Sequence, residues 1–379
     1  MKKIYLDNAA TTPMAPEVLE AMLPFFKNDF GNPSSTHSFG RTTKNAIEIT
    51  RKKIADLFHT DPSEIVFTSG GTEADNMALR CAVSDLGVKR IITSCIEHHA
   101  VGHTANHLKE SCNIKVDLVK IDKKGHVDLA HLEELLSQDT PTLVSLMHAN
   151  NEIGNLLDLK LVGQLCKKHH AFFHSDTVQT MGHYEFNLKE INIDFVTCAA
   201  HKFHGPKGVG FLYIKKNTKI NQLITGGSQE RNQRGGTENL YGIIGLGKAL
   251  ELAYEDVLGH QNHVQELKSY MIDKLQEIDP SISFNGDINP KNSLYTVLNV
   301  CFPITPQSSM MLFSLDISGI AASGGSACSS GASKGSHVLA ALPNAKDCQS
   351  VRFSFSRYTT KEEIDFALEK IKALTAISV

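Results

Sequence analysis

No run of about 18 consecutive apolar residues occurs in the chain, so no segment reads as a membrane-spanning helix. In the opening MKKIYLDNAATT two lysines are followed by only three apolar residues before Asp7, too few for a secretory signal. No CxxC pair occurs among the eight cysteines, Cys81, Cys95, Cys112, Cys166, Cys198, Cys301, Cys328 and Cys348. Without an export signal they read as reduced thiols of a cytoplasmic protein. Basic excess is absent too. The 38 Lys and Arg against 41 Asp and Glu leave a net charge of −3, which argues against nucleic-acid or acidic-membrane binding. Repeats and long low-complexity tracts are also missing.

What remains is ordinary for a globular chain. Its 379 residues are 41% apolar and 21% charged, which excludes disordered and fibrous classes. That length suits two or three domains and buries roughly three quarters of the unfolded surface. Strand-like apolar runs at 64–68, 90–94, 143–148, 171–176, 194–199 and 209–214 alternate with helical stretches at 73–84, 159–169 and 237–254. The alternation predicts an α/β domain with a mostly parallel sheet covered by helices on both faces. After residue 257 the pattern changes to a helix at 264–278, strands at 293–302 and 350–356 and a last helix at 361–374. The expected division is a large domain at 15–257 and a smaller α+β domain at 258–379, with residues 1–14 folding back onto it. Within the latter, 14 of the 16 residues at 321–336 are Gly, Ser or Ala, with Cys328 near the middle. Such a composition predicts a mobile loop.

Chemistry gathers at strand ends. The run 171–176 ends in Asp176, and 194–199 leads into Ala200-His201-Lys202. In open α/β sheets ligands collect beyond the carboxyl ends of strands, so this acid and this lysine can face one ligand. The segment FTSGGTE at 67–73 joins a strand to a helix, and its glycines and hydroxyls at a helix N-terminus form an anion site. It lacks the GK[ST] of a nucleoside-triphosphate loop. His99, His103 and His107 share helical spacing, and His170 and His174 lie four apart. There is no HExxH, and four residues of strand span about 13 Å, so a metal site is not expected. His98 can stack on a planar cofactor. A lysine for a Schiff base, an acid for a ring nitrogen and a phosphate cup together suggest pyridoxal 5′-phosphate.

Ordered motifs then extend along nearly the whole chain: YLDNAATT (5–12), GNPSS (31–35), TSGGTE (68–73), MHANNEIG (147–154) and HSDTVQ (174–179). HKFHGPK (201–207), RGGTEN (234–239), SAC (326–328) and RFSFSR (352–357) follow. In these the chain resembles the cysteine desulfurases of the nitrogen-fixation and iron–sulfur-assembly type, in the class V aminotransferase group of fold-type I pyridoxal phosphate enzymes. The resemblance implies a seven-stranded-type sheet. It also implies that Lys202 carries the cofactor and abstracts the substrate α-proton, and that Asp176 pairs with the pyridinium nitrogen. Gln179 and Asn151 would bond near the ring hydroxyl, His98 would stack on the ring, and Gly71, Thr72 and His201 would hold the phosphate. Thr237 would reach the phosphate of a partner subunit, which implies a homodimer.

By the same resemblance Cys328 is the nucleophile that takes sulfur from L-cysteine as a persulfide, leaving L-alanine, with His98 a candidate for its activation. A travelling loop would let that thiol serve both substrate and acceptor. Arg352, on an alternating segment, has a planar fork suited to the substrate carboxylate, and Asn151 would assist. The remaining seven cysteines read as core residues. Two departures stand out: Ala199 occupies a place where the family usually has a phosphate-binding serine, and the chain stops at Val379 without a longer C-terminal docking extension. The persulfide acceptor, an iron–sulfur scaffold or a thiolation protein, stays open. Selenocysteine lyase or another class V aminotransferase is the nearest alternative, and a non-catalytic sulfur-relay platform a distant one.

Overall fold

Near-continuous apolar runs become buried strands in the computed structural model, which describes residues 3–305, 308–324 and 335–376. In chain order the strands are β1 (Ile4–Tyr5), β2 (Ile65–Thr68), β3 (Arg90–Ser94), β4 (Lys115–Val119), β5 (Thr142–Ser145) and β6 (Phe172–Asp176). They continue with β7 (Phe195–Ala199), β8 (Gly210–Ile214), β9 (Ser283–Asn285), β10 (Val297–Pro303), β11 (Ile320–Ala321) and β12 (Cys348–Ser354). One sheet has the order β2-β8-β7-β6-β5-β3-β4. Only β8 runs antiparallel to its neighbours; the other pairs are parallel. This is the expected α/β sheet of seven strands. Helices on both faces leave β3, β5, β7 and β8 without an exposed residue. The edge strand β4 mixes exposed and buried positions. Its KVDLV therefore lacks the long apolar run that marks its neighbours.

Side-chain caps set several helix starts. Asp158 accepts from the Leu161 N–H ahead of the helix Leu159–Lys168, and Asn239 accepts from Gly242 ahead of Leu240–Tyr254. The second helix thus begins three residues after Thr237. Asp256 accepts from Gly259 and starts Val257–Ile278 seven residues earlier than the apolar pattern suggests. The helices Pro16–Lys27 and Ser38–Leu57 pack against Leu240–Tyr254 and close one side of the sheet.

A second sheet, ordered β12-β10-β9, is antiparallel throughout. Its core includes Ile4 and Leu6 from the N-terminus together with Val300, Phe353 and Ile371. β1 pairs in parallel with β11, and the Ser354 N–H donates to the Leu6 carbonyl at 2.7 Å. The N-terminal segment is thereby laid across this layer and led towards Lys202.

Two expectations about cysteine are corrected. Cys301 and Cys348 form a disulfide across β10 and β12, with Cα atoms 5.4 Å apart. The register sets Cys301 opposite Ser350 and Cys348 opposite Pro303, so the two are diagonal neighbours within bridging distance. A pair separated by 47 residues leaves no local spacing to read. Of the free thiols described, Cys81, Cys166 and Cys198 are core residues, but Cys95 is half-buried and Cys112 exposed. From the predicted loop at 321–336, residues 325–334, including Cys328, lie outside the described residues.

Candidate active site

The carboxyl ends of β2, β5, β6 and β7, with the turns that follow them, open into one cavity of about 220 Å³. It gathers Gly71 and Thr72, His98, Asn151, Asp176 and Gln179, His201 and Lys202, and Arg352. All the cofactor- and substrate-site candidates from the sequence except Thr237 therefore converge.

The anion cup is built from β2 outward. Gly70 has φ +146°, a backbone conformation that favours glycine, and it turns the chain into the helix Gly71–Asp85. A Cβ added at Gly71 would lie 2.8 Å from Val178 Cγ2, so glycine keeps the cup open. Glu73, the acid of the first turn, accepts from the Ser69 N–H at 2.8 Å and from Arg234 Nε at 3.0 Å, which leaves the helix N-terminus available to an anion. His201 shares a hydrogen bond between its Nδ1 and Thr11 Oγ1, 3.2 Å apart. Burial, Lys202 and Lys207 push His201 down to about 4. Lys207 lines an adjoining opening with Gly70, Gly71 and His201, a cation to which the sequence reading gave no role. Thr237 lines a separate cavity beside Ser69 and Gly208.

Across the cavity, Asp176 ends β6 and accepts from the Val178 N–H at 2.8 Å. Burial and the neighbouring Asp75 push its carboxyl up to about 7. Lys202 closes the short turn Ala200–Lys202 after β7, and its Nζ donates to the carbonyls of Ala9 and Ala10. Gln179 Nε2 donates to the same Ala9 carbonyl at 3.0 Å. The 5–12 motif thus forms a lid whose backbone oxygens aim the lysine, while its Thr11 and Asp7 side chains reach His201 and Arg352.

His98 caps the helix His99–Cys112: its Nδ1 accepts from the Ala100 N–H at 3.2 Å. That tautomer carries its proton on Nε2. Burial first, then Lys202, push the ring down to about 4, so it is neutral near pH 7. His98 therefore offers a donor rather than a base in this arrangement. Arg352 is 1% exposed on β12. Its Nη1 donates to the Asn151 carbonyl and its Nη2 to Asp7 Oδ1, each at 2.8 Å, while Nε is buried without a partner. Arg352 also lines the cavity, so its guanidinium can meet an incoming carboxylate there.

Among the described residues one group could hold a metal ion, Asp75, His98 and Asp176, with a ligand atom of each within 4.8 Å of the others. The same atoms floor the cavity between the anion cup and the lysine. A glycine cup at a helix N-terminus, a buried carboxylate, a flat imidazole and an aimed amine fit pyridoxal phosphate, and they fit it better than a bare cation. Sequence reasoning missed Asp75, Asp7 and Lys207, although all three stand inside or beside motifs it had found.

Comparison with known proteins agrees with this geometry. The family described as aminotransferase class-V matches residues 4–366. Cysteine desulfurase IscS of Dictyoglomus turgidum is 44% identical over 377 residues, 98% of this chain and 94% of that protein. Cysteine desulfurase IscS of Methanosarcina thermophila is 44% identical over 375 residues, 98% of this chain and 91% of that protein. A solved NifS-like protein superposes with a TM-score of 0.91 at 36% identity, covering 99% of this chain and 100% of the other.

Proposed function

The chain belongs to the aminotransferase class-V family and is a pyridoxal phosphate-dependent cysteine desulfurase, and from that premise we propose how its residues divide the work. The reaction is L-cysteine plus the thiol of Cys328 giving L-alanine plus a persulfide on Cys328. The observation that carries the assignment is the meeting of Lys202, Asp176, Gly71 and Arg352 in one cavity.

Gly71, Thr72 and His201 hold the phosphate, with Lys207 adding positive charge at the opening. Bound there, pyridoxal phosphate supplies an aldehyde for the amine and an electron-poor ring that accepts the electron pair released at the substrate α-carbon. Asp176 would pair with the ring nitrogen, and Gln179 and Asn151 would bond near the ring hydroxyl. His98 would stack on the ring, with the proton on its Nε2 available to the substrate. Arg352, which lines the cavity, binds the substrate carboxylate. Lys202 removes the substrate α-proton as general base and returns one when alanine forms. Cys328 then takes the sulfur from the substrate, the C–S bond breaking as the S–S bond forms.

A large domain at 15–257 and a small one at 258–379, with the N-terminus on the latter, is the division we favour, and it is supported by a cavity lined by Asp176 and Lys202 from the first and by Ala9, Ala10 and Arg352 from the second. A homodimer is supported by exposed Phe26, Phe30 and Phe39 beside the helices Pro16–Lys27 and Ser38–Leu57, and by Thr237 lying apart from its own chain's cofactor cavity. No helix among the described residues is long and apolar enough to cross a membrane, which suits a cytoplasmic enzyme passing sulfur to an iron–sulfur scaffold or a thiolation protein. Purified protein should form alanine from L-cysteine, and Cys328→Ala should stop sulfur release while retaining the visible absorbance of the bound cofactor. Absence of alanine from the native protein supplied with the cofactor would overturn the assignment.

A further inference from the structure

Three consecutive residues with side chains, Glu230, Arg231 and Asn232, have φ of +44°, +56° and +65°. The left-handed region is costly for such residues, so a run of three persists only where its surroundings hold it. The buried Glu230 carboxylate accepts from Arg51 Nη1 at 2.7 Å, from Arg51 Nη2 at 2.8 Å and from the Phe67 N–H at 2.8 Å. Arg51, also buried, donates to the Ile65 carbonyl at 2.7 Å, and its guanidinium lies 4.5 Å from the centre of the Phe67 ring. Since β2 is an edge strand, this ion pair takes the place that a further strand would fill. Arg231 adds bonds to the Pro62 carbonyl and Glu48 Oε2, each at 2.8 Å. The fixed turn leads on to Thr237. Gln229 Oε1 accepts from the Gly236 N–H at 3.1 Å, Arg234 pairs with Glu73, and Glu230 lines the same cavity as Thr237, which is itself exposed.

We propose that Glu230 and Arg51 are positioning residues whose buried ion pair sets the turn that presents Thr237 to the phosphate of the cofactor in a second copy of the chain. This rests on the reading of Thr237 as a contact made across a homodimer. A hydroxyl on a loose loop gives up much of its bond to a phosphate to the cost of ordering that loop, whereas a turn already fixed has met the cost. A carboxylate suits the task because it only accepts. One side takes the two parallel N–H groups of the arginine fork, and the N–H of the edge strand completes the set. The fork also neutralises Glu230, whose unpaired negative charge beside Thr237 would repel a phosphate. The same strand runs on through Thr68 and Ser69 into the anion cup, so the turn and the cup share one support.

The test reads the dissociation constant of pyridoxal phosphate from the visible band of the full-length protein at graded cofactor. Thr237→Ala should raise it by roughly tenfold or more, the loss of one hydrogen bond to a charged acceptor. Glu230→Gln should raise it by a comparable factor, and the double variant should bind no more weakly than Thr237→Ala alone. Arg51→Lys keeps the charge but loses the fork, so it should weaken binding in the same direction by less, and it is read instead if Glu230→Gln does not fold. Pyridoxal, which has no phosphate, should bind every variant as it binds native protein. A through-space effect of charge would tighten binding in Glu230→Gln, whose unpaired arginine attracts the phosphate, and leave Arg51→Lys at the native value. Either result overturns the proposal, as does an equal loss for pyridoxal or a double variant whose loss is the product of the two single losses. Native affinity in Thr237→Ala overturns the reading of Thr237 and this proposal with it, while leaving the cofactor cavity intact.

Discussion

Arg352→Lys isolates substrate recognition from cofactor binding. Arg352 reaches from β12 to the Asn151 carbonyl and Asp7 Oδ1, which fix the guanidinium plane where it lines the cavity. A carboxylate docking bidentately on that guanidinium would gain two parallel charge-assisted hydrogen bonds, each worth about 1.5–3 kcal/mol. Lysine keeps the charge but has no fork, and its single ammonium cannot serve Asp7 and the substrate with the same geometry. A loss of about 3 kcal/mol at the low end is roughly 100-fold in kcat/KM, at about 1.4 kcal/mol for each tenfold. The assay is alanine formed against L-cysteine concentration. The rise should fall mainly in KM, with the visible cofactor spectrum unchanged. Removing a buried ion-pair partner also lowers stability, so the comparison is made well below the variant's melting temperature. A kcat/KM within about threefold of native, in folded and loaded enzyme, would refute a substrate-binding Arg352.

Three other perturbations follow from the same geometry. Ala199 is 2% exposed and lines the cavity facing Gly71; Ala199→Ser should tighten cofactor binding by roughly tenfold or more, one hydrogen bond to a charged acceptor, read by cofactor titration. Burial pushes the Glu97 carboxyl up to about 8, although Met147 N–H and Ser94 Oγ donate to it. The folded state therefore binds more protons than the unfolded one between about pH 4.5 and 8, so this acid lowers stability progressively as pH rises through that window. Cofactor-free Glu97→Gln should accordingly gain on native by up to about 4 kcal/mol from pH 5 to pH 8 in urea melts, and an unchanged difference would refute a buried, proton-holding Glu97. Reduction of Cys301–Cys348, or Cys301→Ser, should lower stability by about 2–4 kcal/mol, whereas an unaltered melting temperature under reductant would count against the cross-strand bond.

The parts of the site carried by contiguous segments were legible in the sequence. A strand followed by a glycine-rich helix start announces an anion cup, and an apolar strand ending in Asp176 or leading into Lys202 announces a ligand side. The same holds for the sheet, whose buried strands are continuous apolar runs; β4 escaped because an edge strand mixes polar and apolar positions. Pairings between distant residues left no such trace. Asp7 and Arg352 are 345 residues apart, and only the lid over the cavity brings them together. Asp75 looks like an ordinary polar helix residue until the fold shows it fully enclosed with one oxygen unpaired. His98 was legible as a cavity residue, but its proton position was not, because that depends on the backbone N–H it caps.

Borohydride reduction of the loaded enzyme, followed by proteolysis and mass mapping, tests the account at its centre. The account predicts a pyridoxyl label on the peptide containing Lys202 and its absence from the Lys202→Ala protein. A label on another lysine, or an unlabelled Lys202 peptide from enzyme that holds the cofactor, would contradict it.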